Sequence, residues 1–333
     1  MITVDNRLPA DFRESSLRAD VTAGLTATPK QLPPKWFYDA EGSALFEKIT
    51  ELPEYYPTRA ERAILSERAA EIAALSGATA LVELGSGSSE KTRLLLDALS
   101  AAGTLRRYVP VDVSESAVRA AGSAVAAEYP GLDVRAVVAD FDSYLGVHGG
   151  SPQDGTSGDG APDGPRLVAF LGSTIGNMTP GERAEFLARV RSQLRPGDSF
   201  LLGTDLVKDP AVLVAAYDDS AGVTAAFNQN VLSVMNAALG ADFDLDTFAH
   251  VAVWDPEAEW IEMRLRSTVA QSVRVPGVGL TVTFGEGEEM RTEVSSKFRR
   301  PGVTAELAAA GFALRSWWTD PEGRFGLSVS TPV

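Results

Sequence analysis

Apolar residues recur at helical spacing from Ala60 to Leu75, with Ala63, Ile64, Ala69 and Ile72 falling on one stripe. A short apolar run, Ala78 to Leu84, follows and ends in glycines, as expected of a buried parallel strand. The alternation then continues. Helical pattern covers Lys91 to Ala102, Glu115 to Glu128 and Pro180 to Leu194, the last stopped by Pro196-Gly197. Strand pattern covers Tyr108 to Val113, Val134 to Val138, Arg166 to Leu171 and Ser199 to Thr204. Strands alternating with helices predict an α/β fold, a mostly parallel sheet with helices on both faces. At the end of the chain, Phe312 to Thr319 and Phe325 to Thr331 flank the turn signal Asp320-Pro321-Glu322-Gly323, which predicts an antiparallel hairpin.

Two segments break the alternation. Residues 1–59 are rich in proline and aromatics and poor in strand signals. Residues 206–297 carry helical pattern at Val212 to Tyr217 and Phe227 to Leu239, then strand pattern at Trp260 to Val269 and Leu280 to Phe284. The pattern predicts a main domain from 60–205 and 298–333 and a smaller α+β domain assembled from 1–59 and 206–297. Gly146 to Pro165 holds seven glycines and three prolines among Asp, Ser and Thr. Such composition cannot bury enough apolar surface to offset its ordering entropy, so 146–165 is expected to be a flexible insertion.

The chain has 333 residues, 44% of them apolar, enough for about two domains of ~150 residues and a large core. It has no cysteine, which excludes disulfides, thiol catalysis and cysteine-ligated metal. With two histidines, His148 and His250, no metal site is expected, and both are assigned to structure. Thirty basic against forty-five acidic residues give a net charge of −15, which repels phosphate backbones and anionic lipid. No apolar run reaches the ~20 residues of a membrane span, and the N-terminus lacks a signal-peptide pattern. The expectation is a cytoplasmic monomer with no nucleic-acid or membrane partner.

Candidate chemistry begins at Leu81-Val82-Glu83-Leu84-Gly85-Ser86-Gly87-Ser88-Ser89, between the first strand and its helix. Glycines let the backbone turn tightly and let a ligand approach, and the helix start offers unpaired N–H groups. Dinucleotide sites want a third glycine where Glu90 stands, and an acid there would face the pyrophosphate. Glu83 instead gives an E-x-G-x-G turn like that of class I S-adenosylmethionine-dependent methyltransferases, whose cofactor carries a sulfonium and no phosphate. A ligand-free turn remains an alternative here. Asp112, at the next strand end, suits ribose hydroxyls. Asp140-Phe141, at the one after, offers an acceptor for an exocyclic amine and a ring face for adenine. The run Phe170 to Asn177 is small enough to let backbone approach a transferred group.

Five stretches go further. They are Lys30 to Asp39 (KQLPPKWFYD), Leu52 to Arg59 (LPEYYPTR), Phe170 to Asn177 (FLGSTIGN), Gly203 to Asp209 (GTDLVKD) and Glu293 to Phe298 (EVSSKF). Together they resemble the histidine Nα-methyltransferases of ergothioneine biosynthesis across nearly the whole chain, the insertion and the first ~15 residues excepted. The resemblance implies a Rossmann-like class I sandwich with a seven-stranded sheet. It implies transfer of three methyl groups from S-adenosylmethionine to the α-amine of L-histidine, giving hercynine. Its cofactor contacts fall on Gly85, Lys91, Asp112, Asp140 and Phe141. Its histidine contacts fall on Tyr55, Asn177, Tyr217, Glu293 and Ser295, with Tyr38 near the reacting amine and Met263 lining the imidazole pocket. Relatives that methylate other amino acids, such as tryptophan, are expected to lack this Glu and Met.

By themselves the residues point less far. Tyr38 and Tyr55 suit a quaternary ammonium product, yet aromatics in proline-rich segments are ordinarily packing residues. Glu293 and Ser295, two apart on a strand, can serve both nitrogens of an imidazole. From pattern alone, Arg291, Glu293, Ser295 and Lys297 read as a solvated strand face. Asn177 can hold a substrate carboxylate or cap the helix after Met178. Tyr217 reads as core. No general base stands out for the amine.

Overall fold

The computed structural model describes residues 2–87, 89–140 and 164–333. Its strands are β1 (Thr3–Asn6), β2 (Ala80–Leu84), β3 (Arg107–Asp112), β4 (Asp133–Val138), β5 (Arg166–Phe170), β6 (Ser199–Asp205), β7 (Phe248–Asp255), β8 (Trp260–Ser267), β9 (Gln271–Val275), β10 (Leu280–Phe284), β11 (Glu289–Ser296), β12 (Phe312–Thr319) and β13 (Phe325–Pro332). The α-helices are α1 (Phe12–Thr26), α2 (Ala40–Glu51), α3 (Pro57–Ser76), α4 (Thr92–Ala101), α5 (Glu115–Glu128), α6 (Pro180–Gln193), α7 (Pro210–Ala215), α8 (Val223–Leu239) and α9 (Arg300–Ala309). The predicted insertion lies outside the described residues except for Gly164 and Pro165. No helix among the described residues is long and apolar enough to cross a membrane.

The chain divides into two compact units. The first comprises the chain up to Leu8, Arg59–Leu206 and Phe298–Val333. Its sheet has eight strands in the order β1-β4-β3-β2-β5-β6-β13-β12. The strands from β1 to β6 are parallel, and β13 and β12 run antiparallel. The central β2, β5 and β6 are buried at every residue, which is why they read as continuous apolar runs. Strand order reverses between β2 and β5, the kind of switch point where open α/β sheets bind ligands.

Two expectations are corrected here. The sheet has eight strands where seven were expected, and the extra one, β1, comes from the N-terminal residues assigned to the smaller domain. β1 pairs with β4 at the edge and has no buried residue, so it carries no apolar run by which to find it. Local signals explain the helix ends well. Pro180 occupies the first turn of α6, and the Glu182 carboxylate accepts from both the N–H and the hydroxyl of Thr179 at 2.7 Å.

The second unit comprises Pro9–Thr58 and Val207–Lys297. It contains an antiparallel sheet β11-β8-β7, the hairpin β9-β10, and helices α1, α2, α7 and α8. The Asp219 carboxylate accepts from the N–H groups of Ala221, Val223 and Thr224 at 2.7–3.1 Å, answering the unpaired donors at the start of α8. Gly240, at φ +63°, closes that helix in the left-handed conformation. The helices α1 and α2 escaped the sequence reading, although Leu17, Val21 and Leu25 of α1 form a buried stripe at helical spacing.

Packing against the first unit's sheet constrains Gly203 on β6. A Cβ there would run into Glu61 Oε1 and lie 3.2 Å from the Phe325 ring. Gly203→Ala should therefore cost about 1–3 kcal/mol, read as a lowered midpoint in thermal or urea unfolding. An unchanged midpoint would show that Glu61 is free to move aside.

Candidate functional site

The residues predicted to hold a cofactor lie in the first unit, at the carboxyl ends of its parallel strands. Gly85 follows β2 at φ +69°, and its N–H donates to Val111 O at 2.8 Å. Asp112 ends β3, accepting from Gly87 N–H at 3.3 Å and Ser114 N–H at 3.0 Å. Burial raises its pKa above the ordinary carboxylate value, against the pull of those amides. A carboxylate has about four lone-pair positions, so acceptor capacity remains for a ligand's hydroxyls. Asp140 lies just past β4, beside the Ala139 N–H that donates to Asp112 O at 3.0 Å. Phe141 lies outside the described residues. Among the described residues the buried Ser86 hydroxyl has no hydrogen-bond partner, and no atom apart from its chain neighbours lies within 4 Å of a Cβ built on Gly87. A turn with an orphaned polar group and open space at its glycine fits a ligand better than a mere tight bend.

Glu83 has a different role from the one its position suggests. Its carboxylate accepts from the Thr92 hydroxyl and, at 2.5 Å, from Tyr108 OH, which is 2.8 Å from Ser89 Oγ. It braces the turn from within. Burial pushes its carboxyl up to about 7, and the Thr92 and Tyr108 hydroxyls pull the other way.

Lys91, at the head of α4, forms an ion pair with Glu61 on α3. Glu61 is fully buried and also accepts the Gly172 N–H at 2.8 and 3.0 Å. Sequence reasoning missed Glu61, which looks like any polar residue of an amphipathic helix. Beyond β5, Gly172 and Ser173 take positive φ (+74° and +58°), and Ser173 Oγ accepts the Asp205 N–H at 2.8 Å. A left-handed serine at a strand end marks a position held under strain. Asn177 ends the short 3₁₀ turn Thr174–Asn177 in the same loop. The capping alternative for Asn177 fails, because Thr179 caps α6.

The remaining predicted residues lie in the second unit and fall into two groups. In the first group, the Tyr38 ring packs edge-on against Phe46 at 5.6 Å and Phe227 at 5.4 Å, and Phe46 packs edge-on against Tyr55 at 6.1 Å. Tyr38 is 42% exposed, so its ring is not simply core. Phe46 and Phe227 are aromatic members that the sequence reading did not single out.

The second group is polar. Glu293 on β11 stands directly opposite Met263 on β8, so the two side chains share a face of the sheet. Tyr217, just beyond α7, has its hydroxyl 2.7 Å from Ser295 Oγ. Lys297 Nζ donates to both, at 2.8 and 2.9 Å. Ser295 and Lys297 are buried, which overturns the solvated-face pattern. A register shift between Arg291 and Glu293 interrupts the strand ladder at this point. Burial pushes the Glu293 carboxyl up to about 7, with the Lys297 charge pulling it down.

His250 supports this group from behind. Asn228 Nδ2 donates to Arg264 O at 3.0 Å, and Asn228 Oδ1 accepts the Thr292 hydroxyl at 2.6 Å, which orients the amide. His250 Nδ1, 2.8 Å from Asn228 Nδ2, is therefore an acceptor, and Nε2–H donates to Tyr217 O at 2.8 Å. The imidazole is thus held neutral, in keeping with burial, which lowers its pKa.

The brace under the glycine turn is open to test. Tyr108→Phe removes a donor to a buried carboxylate and should cost about 1–3 kcal/mol of stability. Because the lost hydroxyl favours the ionised form, the loss should grow as pH rises through about 7. Urea unfolding at pH 6 and 8 measures both.

A family model described as a histidine-specific, S-adenosylmethionine-dependent methyltransferase matches residues 17–332. The histidine N-alpha-methyltransferase of Mycolicibacterium smegmatis is 59% identical over 329 residues, 99% of each chain. That of Mycobacterium tuberculosis is 56% identical over 329 residues, again 99% of each chain. Ergothioneine biosynthesis protein 1 of Neurospora crassa is 35% identical over 238 residues, 68% of this chain and 25% of that one. On a family match that spans nearly its whole length, this chain belongs to the histidine-specific, S-adenosylmethionine-dependent methyltransferases.

Proposed function

We propose that the protein transfers three methyl groups in succession from S-adenosylmethionine to the α-amine of L-histidine, giving hercynine, the first step of ergothioneine biosynthesis. The observation that carries the substrate is the polar group of the second unit. There Glu293 and Met263 pair across two strands, and Ser295 is buried two residues on. A half-buried carboxylate and a buried hydroxyl at this spacing match the two ring nitrogens of an imidazole, one to accept and one to donate. A site built on such bonds strongly rejects side chains that leave them unmade.

The cofactor supplies an already activated methyl group, so the protein's work is chiefly to orient. Gly85, Lys91, Asp112, Asp140 and Phe141 are assigned to the cofactor: Asp112 to the ribose hydroxyls, Asp140 to the adenine amine and Phe141 to its ring. Tyr55, Asn177, Tyr217, Met263, Glu293 and Ser295 are assigned to histidine, and Tyr38 to the reacting amine. The rings of Tyr38, Phe46, Phe227 and Tyr55 offer π faces to nitrogen as it gains methyl groups and becomes a permanent cation. The net charge of −15 supports a cytoplasmic enzyme with no nucleic-acid or membrane partner, and we take the working form to be a monomer.

Incubation of the purified protein with S-adenosylmethionine and each of the common amino acids, read by mass spectrometry, tests the proposal. L-Histidine should gain one, two and three methyl groups, and the others far fewer. Preferred methylation of tryptophan would overturn the substrate assignment. Glu293→Ala should weaken histidine binding by more than about tenfold in calorimetry while leaving cofactor affinity nearly unchanged.

The Glu293 carboxyl, pushed up to about 7, accepts a ring N–H fully only when ionised. Histidine affinity should therefore fall as pH drops from 8 to 6, since binding then releases a proton. In Glu293→Gln that dependence should flatten to what the ligand's own titration imposes.

A further inference from the structure

We propose that Asn228 is a positioning residue for the substrate pocket of the second unit: its side-chain amide fixes the tautomer of His250 and, through His250 and Thr292, holds the segments that carry Tyr217, Met263 and Glu293. The inference rests on the reading that these three residues receive the substrate.

Asn228 lies on α8 and is fully buried, and its amide meets three strands. Its Nδ2 donates to the carbonyl of Arg264 on β8 at 3.0 Å. A flipped amide would set two oxygens against each other there, so the orientation is fixed. The second hydrogen of Nδ2 goes to Nδ1 of His250 on β7, at 2.8 Å. His250 then carries its proton on Nε2, which donates to the Tyr217 carbonyl at 2.8 Å. Asn228 Oδ1 lies 2.6 Å from the hydroxyl of Thr292 on β11, and that hydroxyl lies 3.0 Å from the Met263 carbonyl.

The place of Thr292 in its strand gives the amide its reach. Arg291 pairs with Arg264 and Glu293 with Met263, so Thr292 is one residue too many for the ladder. Such a bulge re-aims the side chains around it. Here it sends a buried hydroxyl to Asn228, and Glu293 follows directly. Three residues assigned to the substrate thus lie close to one amide: Tyr217 through His250, Met263 through Thr292, and Glu293 as the neighbour of Thr292. The charges of Asp218 and Asp219 favour a protonated His250. A proton on Nδ1 would face the Asn228 N–H, so the amide opposes them.

The chain has two histidines, so 15N imidazole spectra of a His148→Gln protein report His250 alone. They should show a neutral ring at pH 7 with its proton on Nε2. Asn228→Asp, made in the same background, sets an acceptor without an N–H beside Nδ1. His250 should then hold a second proton and give an imidazolium spectrum, while the Arg264 carbonyl loses its donor. Calorimetry with S-adenosylhomocysteine present should show L-histidine binding weakened by at least about tenfold, with S-adenosylhomocysteine affinity nearly unchanged. Position 250 separates hydrogen bonding from the filling of space. His250→Gln keeps a donor for the Tyr217 carbonyl and an acceptor for Asn228, and should retain most of the affinity for histidine. His250→Phe fills the space with neither and should lose about as much as Asn228→Asp. This pair also serves if Asn228→Asp does not fold. A neutral His250 in folded Asn228→Asp, or equal histidine affinity in His250→Gln and His250→Phe, overturns the inference. A wild-type protein that neither binds nor methylates histidine overturns the substrate assignment instead. The His250 spectrum still reads the tautomer in that case, so the two failures are separable.

Discussion

Taking a carboxylate out of water costs several kcal/mol unless charge and hydrogen bonds answer it. Glu61 is fully buried, and what answers it is a set of groups from three different places: the Lys91 ammonium heading α4, the Gly172 amide beyond β5, and the space left by the missing side chain of Gly203 on β6. One satisfied charge thus ties α3 to the start of one helix, to a loop and to a strand. It fixes where the loop carrying Ser173 and Asn177 leaves the sheet, and where Lys91 stands beside it. Glu83 repeats the device one strand away, where Thr92 and Tyr108 hold the glycine turn from within.

The second unit solves the same problem with the charge reversed. Its buried cation, Lys297, is answered by two hydroxyl oxygens and an aromatic face. The acid beside it, Glu293, is kept partly uncharged by burial and partly charged by Lys297. A group poised near neutrality responds strongly to a nearby hydrogen-bond donor, as the proposed pocket for a weakly basic ring requires. The neutral tautomer of His250 extends the arrangement backward to the Tyr217 carbonyl and to Thr292 at the interrupted strand ladder.

The relationship to histidine N-alpha-methyltransferases accounts for the combination. An α/β sheet of this kind supports many transfer reactions, and the fold alone does not select a substrate. In the function proposed above, selection rests on a few groups in the second unit, through hydrogen-bond matching.

Much of this was legible in the chain itself. The parallel sheet and its helices follow from hydrophobic period, and the glycine turn, Asp112 and Asp140 follow from their places at strand ends, because each of these signals is local. The polar second group was legible only through its resemblance to a family. By period alone, Glu293, Ser295 and Lys297 formed a solvated face, and β1 was invisible because an edge strand with no buried residue leaves no apolar trace. Tertiary structure decided the rest. Glu61 and Gly172 are 111 positions apart, Tyr217 and Lys297 80, and Asn228 and Thr292 64. Whether a charged residue is solvated or buried against a partner depends on what the fold brings opposite it, and a one-dimensional pattern contains no term for that.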